Sequence, residues 1–394
     1  MQANCVRCHG DALKRSEDSH PKSKFTDPRN ADRVAILDAR YCVACHVEHK
    51  QEMTDETGVT LPKNYCVKCH YDIAKDRPSH KGMDFMSCAS GGCHNYHDNR
   101  ALYEDFLLKH LNEPATLQTT LNPTRNFAEF YRTSQNIKAA PLHSKDADAQ
   151  SQLRQDDRIL YDWATTTHAR SGVNCSACHR DDKATDPAAQ WHERPGPQVC
   201  TQCHDDEYRN FSEGRHGMRL AQNLSPMQPQ WATIPMNAGV HSRKLSCVTC
   251  HRDHDFNTRF AAVEACLECH ADRHSKAYQS SAHYRLWRDQ TSGLTSGETG
   301  VSCATCHMPR LPLTRSGRPR VLVQHNQNDN LRPNEKMIRS VCLNCHGLAF
   351  AIDALADPAL VAQNFNGQPS RHIASIEMAV KRVKDKPKKA QSLP

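Results

Sequence analysis

Apolar residues along this chain recur in short helical runs that are separated by long polar stretches. The segment ALYEDFLLKHL (101–111) places Phe106 and Leu107 near one helix face, and RILYDWATTTH (158–168) predicts a second helix. The segment 261–290 contains neither Pro nor Gly and predicts one long helix. Strand patterns are weak throughout, so the predicted fold class is mostly α with extensive loops.

The 20 cysteines all fall into one repeated pattern that ends in histidine. Nine copies read C-x-x-C-H, and a tenth, the fourth in chain order, has four residues between its cysteines, where Gly91 and Gly92 tolerate a looped-out backbone. In chain order, motifs 1 to 10 are Cys5/Cys8/His9, Cys42/Cys45/His46, Cys66/Cys69/His70, Cys88/Cys93/His94, Cys175/Cys178/His179, Cys200/Cys203/His204, Cys247/Cys250/His251, Cys266/Cys269/His270, Cys303/Cys306/His307 and Cys342/Cys345/His346.

A C-x-x-C-H sequence is the attachment signature of c-type haem, in which two thioethers hold the porphyrin and the histidine binds the iron. The ten motifs therefore predict ten covalently attached c-type haems. Zinc sites also combine Cys with His, and cysteine-rich chains can form disulfides. Neither alternative explains why a histidine follows every second cysteine.

Each iron needs a sixth ligand to stay low-spin, and the 25 histidines leave fifteen outside the motifs. His49, His97 and His254 lie three residues beyond a motif histidine, so one helical turn presents two imidazoles to two neighbouring haems. His192 and His274 are close contenders, and His110, His143 and His372 are the least favoured. The ten predicted sixth ligands are His20, His49, His80, His97, His168, His216, His241, His254, His283 and His325.

Composition and charge narrow the possible partners. Only 38% of residues are apolar, so the porphyrins are expected to fill the interior. The formal charge is +7, but twenty haem propionates and ten ferric centres bring the oxidised protein to about −3, which gives no reason to predict nucleic-acid binding. No apolar run is long enough for a transmembrane segment. Haem of this type is attached outside the cytoplasm, so we expect a mature or trimmed chain from the periplasm or cell surface of a bacterium.

The spacing of the motifs predicts four parts of the chain. The basic segment KRVKDKPKKAQSLP (381–394) is interpreted as a solvated terminus, with a docking arm for an acidic partner as the alternative. The predicted parts are a four-haem module (1–100), a haem-free helical connector (101–170), a six-haem module (171–350) and a helical and basic tail (351–394).

Two resemblances to known families accompany these motifs. CVACHVEH, CVKCHYDI and CASGGCHNYH in residues 1–100 resemble small multihaem electron-transfer cytochromes, and the tetrahaem cytochromes of sulfate reducers share the wide spacing of motif 4. HARSGVNCSACH, CLECHADRHSKAYQSSAH and GVSCATCHMP, within about residues 160–310, resemble the superfamily of pentahaem nitrite reductases and octahaem hydroxylamine oxidoreductases. These resemblances imply bis-histidine wires and closely packed haem pairs.

The chain also departs from these enzymes. Nitrite reductases carry Lys in place of one motif histidine, whereas all ten motifs here end in His. Hydroxylamine oxidoreductases hold one haem through a Tyr, and the nearest counterpart, Tyr208 followed by Arg215 and His216, has a different offset.

The predicted function is an electron-transfer conduit for redox partner proteins or extracellular acceptors. A form of this prediction is that copies of the chain associate into an oligomer or a filament. The alternative is an oxidoreductase that acts on a small nitrogen or sulfur compound at one open-coordinate haem.

Overall fold

The structure of this chain is a computed structural model, and the facts below concern only the residues that it describes. These are residues 4–7, 10, 20, 22–46, 65–81, 104–117, 139–154, 156–181, 190–232, 234–295, 299–315, 317–327, 329 and 335–385.

The described residues are mostly helical with extensive loops, which confirms the predicted fold class. Before the connector, the α-helices are Lys22–Thr26, Ala31–Ile36, Cys42–Cys45, Tyr65–His70 and Ile73–Asp76, with 3-10 turns at Pro28–Asn30 and Pro78–His80. In the connector they are Glu104–His110, Asp157–Ala164 and Thr167–Arg170, with 3-10 turns at Ser144–Asp146 and Ser151–Leu153. None of the helices in these described ranges has both the length and the apolar composition that crossing a bilayer requires.

From motif 5 onward the elements are again short. The α-helices are Ser176–His179, Thr201–Glu213, Met218–Ala221, Cys247–His251, Thr258–Ala262, Glu264–Cys269, Arg273–Ala277, Ala282–Thr291, Cys303–His307, Glu335–Ser340, Leu348–Leu355, Pro358–Ala362 and Ser375–Asp385. The 3-10 turns are Pro197–Cys200, Pro229–Trp231, Ala238–Val240, Tyr278–Ser280 and Cys342–Asn344, and the strands are Arg310–Arg315 and Arg318–Val323.

The prediction of one long helix over 261–290 is wrong. The backbone leaves the helical conformation at Val263 and again at His270. Asp272 then begins a new helix by accepting a hydrogen bond from the Ser275 amide, and Ser281 begins another by accepting one from the Tyr284 amide. Side chains that cap a helix compete with the continuation of the preceding helix, so Asp and Ser divide the segment.

An antiparallel hairpin of two strands was not predicted. Strand Arg310–Arg315 pairs with Arg318–Val323, and Leu313 lies opposite Arg320. Gly317 has φ +74° at the turn, a conformation that glycine adopts without steric cost. The hairpin leads directly to His325, so it sets the position of that side chain.

One hydrophobic core of the described chain joins the connector to the tail. Leu107 of helix Glu104–His110 packs with residues of the last helices, and Glu104 accepts a hydrogen bond from Arg382 at 3.1 Å. The buried members of this core are Leu107, Ile338, Leu348, Ala351, Ile352, Leu355 and Ala379. The proposed domain boundaries remain a prediction, but helix Glu104–His110 lies against the C-terminal residues.

The rest of the described connector packs on motif 5. Trp163 and Ala169 are buried together with Ala147, and Cys175 lies against this cluster. The Trp163 indole N–H donates to the Val173 carbonyl at 3.1 Å, which satisfies its polar group. The connector therefore supports the first motif of the six-haem module.

Candidate haem-binding sites

Several motifs form a single helical turn whose first amide groups are capped by neighbouring side chains. In motif 9, the Ser302 hydroxyl accepts from the Thr305 amide at 3.1 Å, and the Ser302 amide donates to the Thr305 hydroxyl at 3.0 Å. Motif 7 has the same capping box between Ser246 and Thr249. The sequence S-C-x-T-C-H thus encodes its own helix start, which holds both cysteines on one turn.

Motif 5 is capped by the connector instead. The Asp148 carboxylate accepts hydrogen bonds from the Ser176 amide at 2.9 Å and from the Ser176 hydroxyl at 2.5 Å. The Asn174 side chain donates to the Asp146 carbonyl at 2.7 Å and accepts from the Cys175 amide at 2.9 Å. Residues 146–148 therefore hold the turn that carries Cys175 and Cys178.

Motif 6 differs from these motifs because two elements share it. Cys200 ends the 3-10 turn Pro197–Cys200, whereas Cys203 lies in the first turn of helix Thr201–Glu213. The backbone leaves the helical conformation at His204, where φ is −112° and ψ is 39°. Cys203 is half-buried, and within the described residues no disulfide engages it. These contacts do not test the predicted thioether between Cys203 and the haem of motif 6, which stays a prediction.

Cys203 does lie beside the preceding motif. Burial, followed by the nearby Cys200 and Cys203 thiols, raises the pKa of Cys178 to about 11. Motifs 5 and 6 therefore bring their cysteines to one place in the fold. In motif 8, Cys269 ends helix Glu264–Cys269, and its carbonyl accepts from the Asn237 amide at 2.8 Å.

Among the described residues, seven motif histidines each face one histidine from outside the motifs. The distances between ring centroids lie between 5.8 and 6.4 Å. The pairs are His70 with His20, His179 with His254, His204 with His168, His251 with His325, His270 with His216, His307 with His274 and His346 with His283.

This spacing fits a haem iron between the two rings of a pair. Metal–imidazole bonds are about 2 Å long, so two imidazoles on opposite sides of one metal ion have ring centroids about 6 Å apart. The porphyrin supplies four ligands to the iron, so the protein needs to supply only two. Each histidine pair offers two. Within the described ranges, no group of three or more His, Cys, Asp or Glu is arranged to hold a metal ion.

Three of these imidazoles are oriented by a backbone carbonyl. The Nδ1–H of His179 donates to the His192 carbonyl at 2.7 Å, that of His325 to the Val323 carbonyl at 2.9 Å, and that of His274 to the Val361 carbonyl at 2.5 Å. A carbonyl can only accept, so the proton lies on Nδ1 and the lone pair lies on Nε2. This second contact fixes the tautomer and the ring direction that a metal requires.

Burial keeps several of the paired imidazoles neutral. Desolvation, followed by the nearby histidines, lowers the pKa of His216, His251, His283 and His307 to about 4. A neutral imidazole has a lone pair for a metal at neutral pH. These four partly buried imidazoles are thus in the protonation state that iron needs.

Burial lowers the pKa of these imidazoles, but it raises the pKa of cysteine thiols, as it does for Cys178. It raises the pKa of Cys250, Cys306 and Cys342 to about 12. A buried thiol therefore stays uncharged, which suits a neutral thioether better than the thiolate that zinc binds. The described cysteines form no disulfide.

Thiols of successive motifs lie close together. Cys200 of motif 6 hydrogen-bonds to Cys247 of motif 7, and Cys266 of motif 8 hydrogen-bonds to Cys303 of motif 9. The attachment points of neighbouring motifs are thus adjacent along this part of the chain.

Histidines that follow a motif closely face a different motif. His254 lies three residues after His251 but faces His179, while His251 faces His325. The two imidazoles face different histidines as predicted, but the predicted helical turn between them is wrong, because helix Cys247–His251 ends at His251 and both Arg252 and His254 have positive φ values, +62° and +64°.

Six of the ten predicted sixth ligands lie opposite a motif histidine: His20, His168, His216, His254, His283 and His325. His80 is half-buried, and burial lowers its pKa, while its role stays a prediction. His241 is exposed after the turn Ala238–Val240, and within the described residues no imidazole faces it. The structure instead places His274 opposite His307.

The remaining histidines have other roles. The carbonyl of His192 orients His179, while its ring is exposed and 4.0 Å from Asp181. The ring of His110 contacts Glu113, and that of His372 lies between Asp353 and Glu377. His216 faces His270, which is the position expected of a sixth ligand, and its role as a ligand stays a prediction.

Some predicted positions lie outside the described residues. These are Cys8, His9, His49, Cys88, Cys93, His94 and His97. The described residues of motifs 1 and 2 are Cys5, Cys42, Cys45 and His46.

Comparison with known proteins gives one family match. The family model described as Cytochrome c3 matches residues 167–271, about a quarter of the chain, which contain motifs 5 to 8. The match supports a multihaem c-type cytochrome that transfers electrons and carries covalently bound haem. It falls on the part of the sequence that resembles nitrite reductases, and that resemblance stays a prediction. No solved structure matches the chain.

Proposed function

We propose that this chain is a decahaem c-type cytochrome that conducts electrons through bis-histidine haems. The observation that carries the proposal is the set of seven imidazole pairs, each combining a motif histidine with a histidine from elsewhere in the chain. When bound, each haem supplies an iron that takes up and gives up one electron.

The chain's own residues hold and space the haems. The motif cysteines would hold the haems covalently, and the paired imidazoles would bind their irons. Cys200 lies beside Cys247 and Cys266 lies beside Cys303, so these residues would hold the haems of motifs 6 and 7, and those of motifs 8 and 9, near each other. Short gaps between haems favour electron transfer from one to the next.

The sixth ligand opposite His307 is His274 in this proposal, in place of His241. We further propose an extracytoplasmic location and redox partner proteins or extracellular acceptors, with an oligomer or filament as a possible assembly. Cytochromes of the matched family carry covalently bound haem, whose attachment outside the cytoplasm supports this location.

Protein-film voltammetry on the haem-loaded protein tests the proposal. A conduit with ten haems should exchange ten electrons per chain and give no catalytic current with nitrite, hydroxylamine or tetrathionate. A steady catalytic current with any of these compounds would contradict the conduit. Fewer than ten haems per chain, counted by intact mass, would contradict the decahaem assignment.

A matched pair of variants tests the ligands themselves. Replacing a histidine ligand with methionine raises the reduction potential of a haem. His325→Met should therefore raise one potential, whereas His241→Met, at an exposed position, should leave all potentials unchanged. Equal behaviour of the two variants would contradict the proposed pair of His251 with His325.

A further inference from the structure

The two rings of the motif 5 pair have an orientation that the other described pairs lack. The planes of His179 and His254 are within 5° of parallel, and their ring centroids are 5.8 Å apart. In the other six pairs among the described residues, the two ring planes are tilted against each other by 40° to 83°. Motif 5 thus combines the common spacing of a pair with a ring geometry of its own.

A tryptophan side chain lies parallel to one of these rings. The Trp191 indole is tilted by only 12° from the His179 imidazole, and the two ring centroids are 5.1 Å apart. An axial imidazole can turn about its bond to a metal, and a parallel aromatic ring packed beside it opposes that rotation. Trp191 therefore restrains the plane of the His179 ring.

Backbone contacts hold Trp191 in this place. Trp191 forms an antiparallel bridge with Arg180, the residue that follows His179. On the other side of Trp191, the His192 amide donates to the His179 carbonyl at 2.8 Å, and the His192 carbonyl accepts from Nδ1 of His179 at 2.7 Å. None of these contacts uses Nε2 of His179, the nitrogen that would bind iron, so all of them are compatible with a bound haem.

Motif 10 offers a comparison within the same chain. Phe350 lies beside His346 in a similar way, with a tilt of 19° and ring centroids 4.8 Å apart. The planes of His346 and its partner His283 are nevertheless crossed, at 69°. An aromatic ring accompanies the motif histidine in both pairs, but only in motif 5 is the facing histidine parallel as well.

The relative orientation of two axial imidazoles acts on the iron through its d orbitals. Each ring donates π electron density into the iron dπ orbital that lies perpendicular to the ring plane. Two parallel rings donate into the same orbital and raise its energy above that of its partner, which gives ferric low-spin haem a rhombic EPR spectrum. Two crossed rings donate into both orbitals and keep them close in energy, which increases the highest g value. The raised orbital also loses its electron more easily, so parallel rings favour the ferric state and lower the reduction potential.

We propose that Trp191 is a positioning residue for the haem of motif 5: it keeps the ring of His179 parallel to that of His254. This haem then has a rhombic low-spin spectrum and a lower reduction potential than crossed rings would give it. The inference rests on the proposed function and deepens it, because it assigns a residue that tunes one haem of the conduit. Trp191 itself is neither oxidised nor reduced in this role.

EPR spectroscopy of the fully oxidised, haem-loaded protein provides the test. Wild-type protein should show a rhombic low-spin signal that integrates to at least one haem per chain. Trp191→Ala should move one haem per chain from this signal to signals with a larger highest g value, and it should raise one reduction potential. Trp191→Phe keeps a flat ring beside His179 and should retain the wild-type spectrum. Phe350→Ala, which removes a similar contact from a crossed pair, is the matched control and should leave the rhombic signal unchanged.

A second variant assigns the signal to motif 5. His254→Ala removes one axial ring, so one haem per chain should become high-spin at the expense of the rhombic signal. The proposal is overturned, while the conduit remains, if the lost intensity comes from crossed-ring signals or if wild-type protein with ten haems has no rhombic low-spin signal. An unchanged rhombic signal in loaded Trp191→Ala overturns it as well. If His254→Ala leaves every haem low-spin, the pair of His179 with His254 is wrong, which contradicts the proposed function itself. If Trp191→Ala fails to load haem, the spectra of wild type and His254→Ala decide.

Discussion

The four-haem module and the C-terminal residues build their interiors from different material. Among the side chains that the structure describes within residues 22–46 and 65–81, none is fully buried, and Tyr41, Val43 and Tyr71 are exposed. In residues 335–385, by contrast, Ile338, Leu348 and Ile352 are almost completely buried. The second region therefore has a core made of side chains, and we propose that the first depends on haem for its core.

The largest expected difference between the two regions should appear when one haem is removed from each. Cys66→Ala with Cys69→Ala should abolish amide protection in residues 31–36 and 65–70, because only the porphyrin can fill that interior. Cys342→Ala with Cys345→Ala should leave protection in helices Leu348–Leu355 and Ser375–Asp385. Hydrogen exchange measures both. Equal loss in the two regions would show that neither has a core of its own.

Core truncation gives the next largest effect. Leu348 is fully buried, so Leu348→Ala should lower the free energy of unfolding of the C-terminal region by about 2–5 kcal/mol. Ile36 in the four-haem module is 57% exposed, and Ile36→Ala should change stability by less than about 0.5 kcal/mol. Chemical denaturation of the loaded variants measures both. A large loss from Ile36→Ala would mean that this region has a hidden apolar core.

A polar contact replaces apolar packing in the four-haem module. The Arg33 guanidinium donates to the Cys69 carbonyl at 2.6 Å and to the Asp72 carboxylate at 3.0 Å, which joins helix Ala31–Ile36 to motif 3. Both side chains are partly exposed, so Arg33→Ala should cost only about 1 kcal/mol. Faster exchange in residues 31–36 is the measurement. Arg29→Ala, whose pair with Asp27 is local and exposed, is the control and should have no such effect.

The smallest effect is a pH dependence in the C-terminal region. A hydrogen bond from His372 to Asp353, and the charge of Glu377, raise the pKa of His372 above its usual value. The raised pKa means that the stabilisation is complete below the unfolded value of about 6.5 and is lost as pH rises through the folded value. His372→Gln should remove this slope from denaturation midpoints measured between about pH 5 and 8. If the slope persists in the variant, a group other than His372 causes the pH dependence.

The sequence predicted six histidines that lie opposite a motif histidine, but it predicted the course of the backbone less well. The motifs predict each haem attachment because two cysteines and a histidine must lie side by side, even where, as at Cys200 and Cys203, two elements share the motif. The helix predicted over 261–290 failed because Asp272 and Ser281 cap new helices, which a search for Pro and Gly overlooks. The hairpin was missed although Ser316-Gly317 is a turn signal between two segments with alternating apolar residues.

The sixth ligands are harder to predict because they come from distant parts of the sequence. His325 faces His251 only because the hairpin returns the chain to that site. His274 follows His270 by four residues, and Asp272 starts the helix that turns its ring toward His307. His241 precedes a motif in sequence but lies on an exposed turn. Sequence spacing alone therefore does not distinguish His274, which faces a motif histidine, from His241, which is exposed.

An anomalous difference map from a crystal of the haem-loaded protein, recorded at the iron absorption edge, tests the imidazole pairs most directly. The account predicts an iron peak between the two rings of each of the seven pairs, including that of His307 with His274. Iron peaks that lie beside the motif histidines but are not faced by these partners would contradict the bis-histidine assignment.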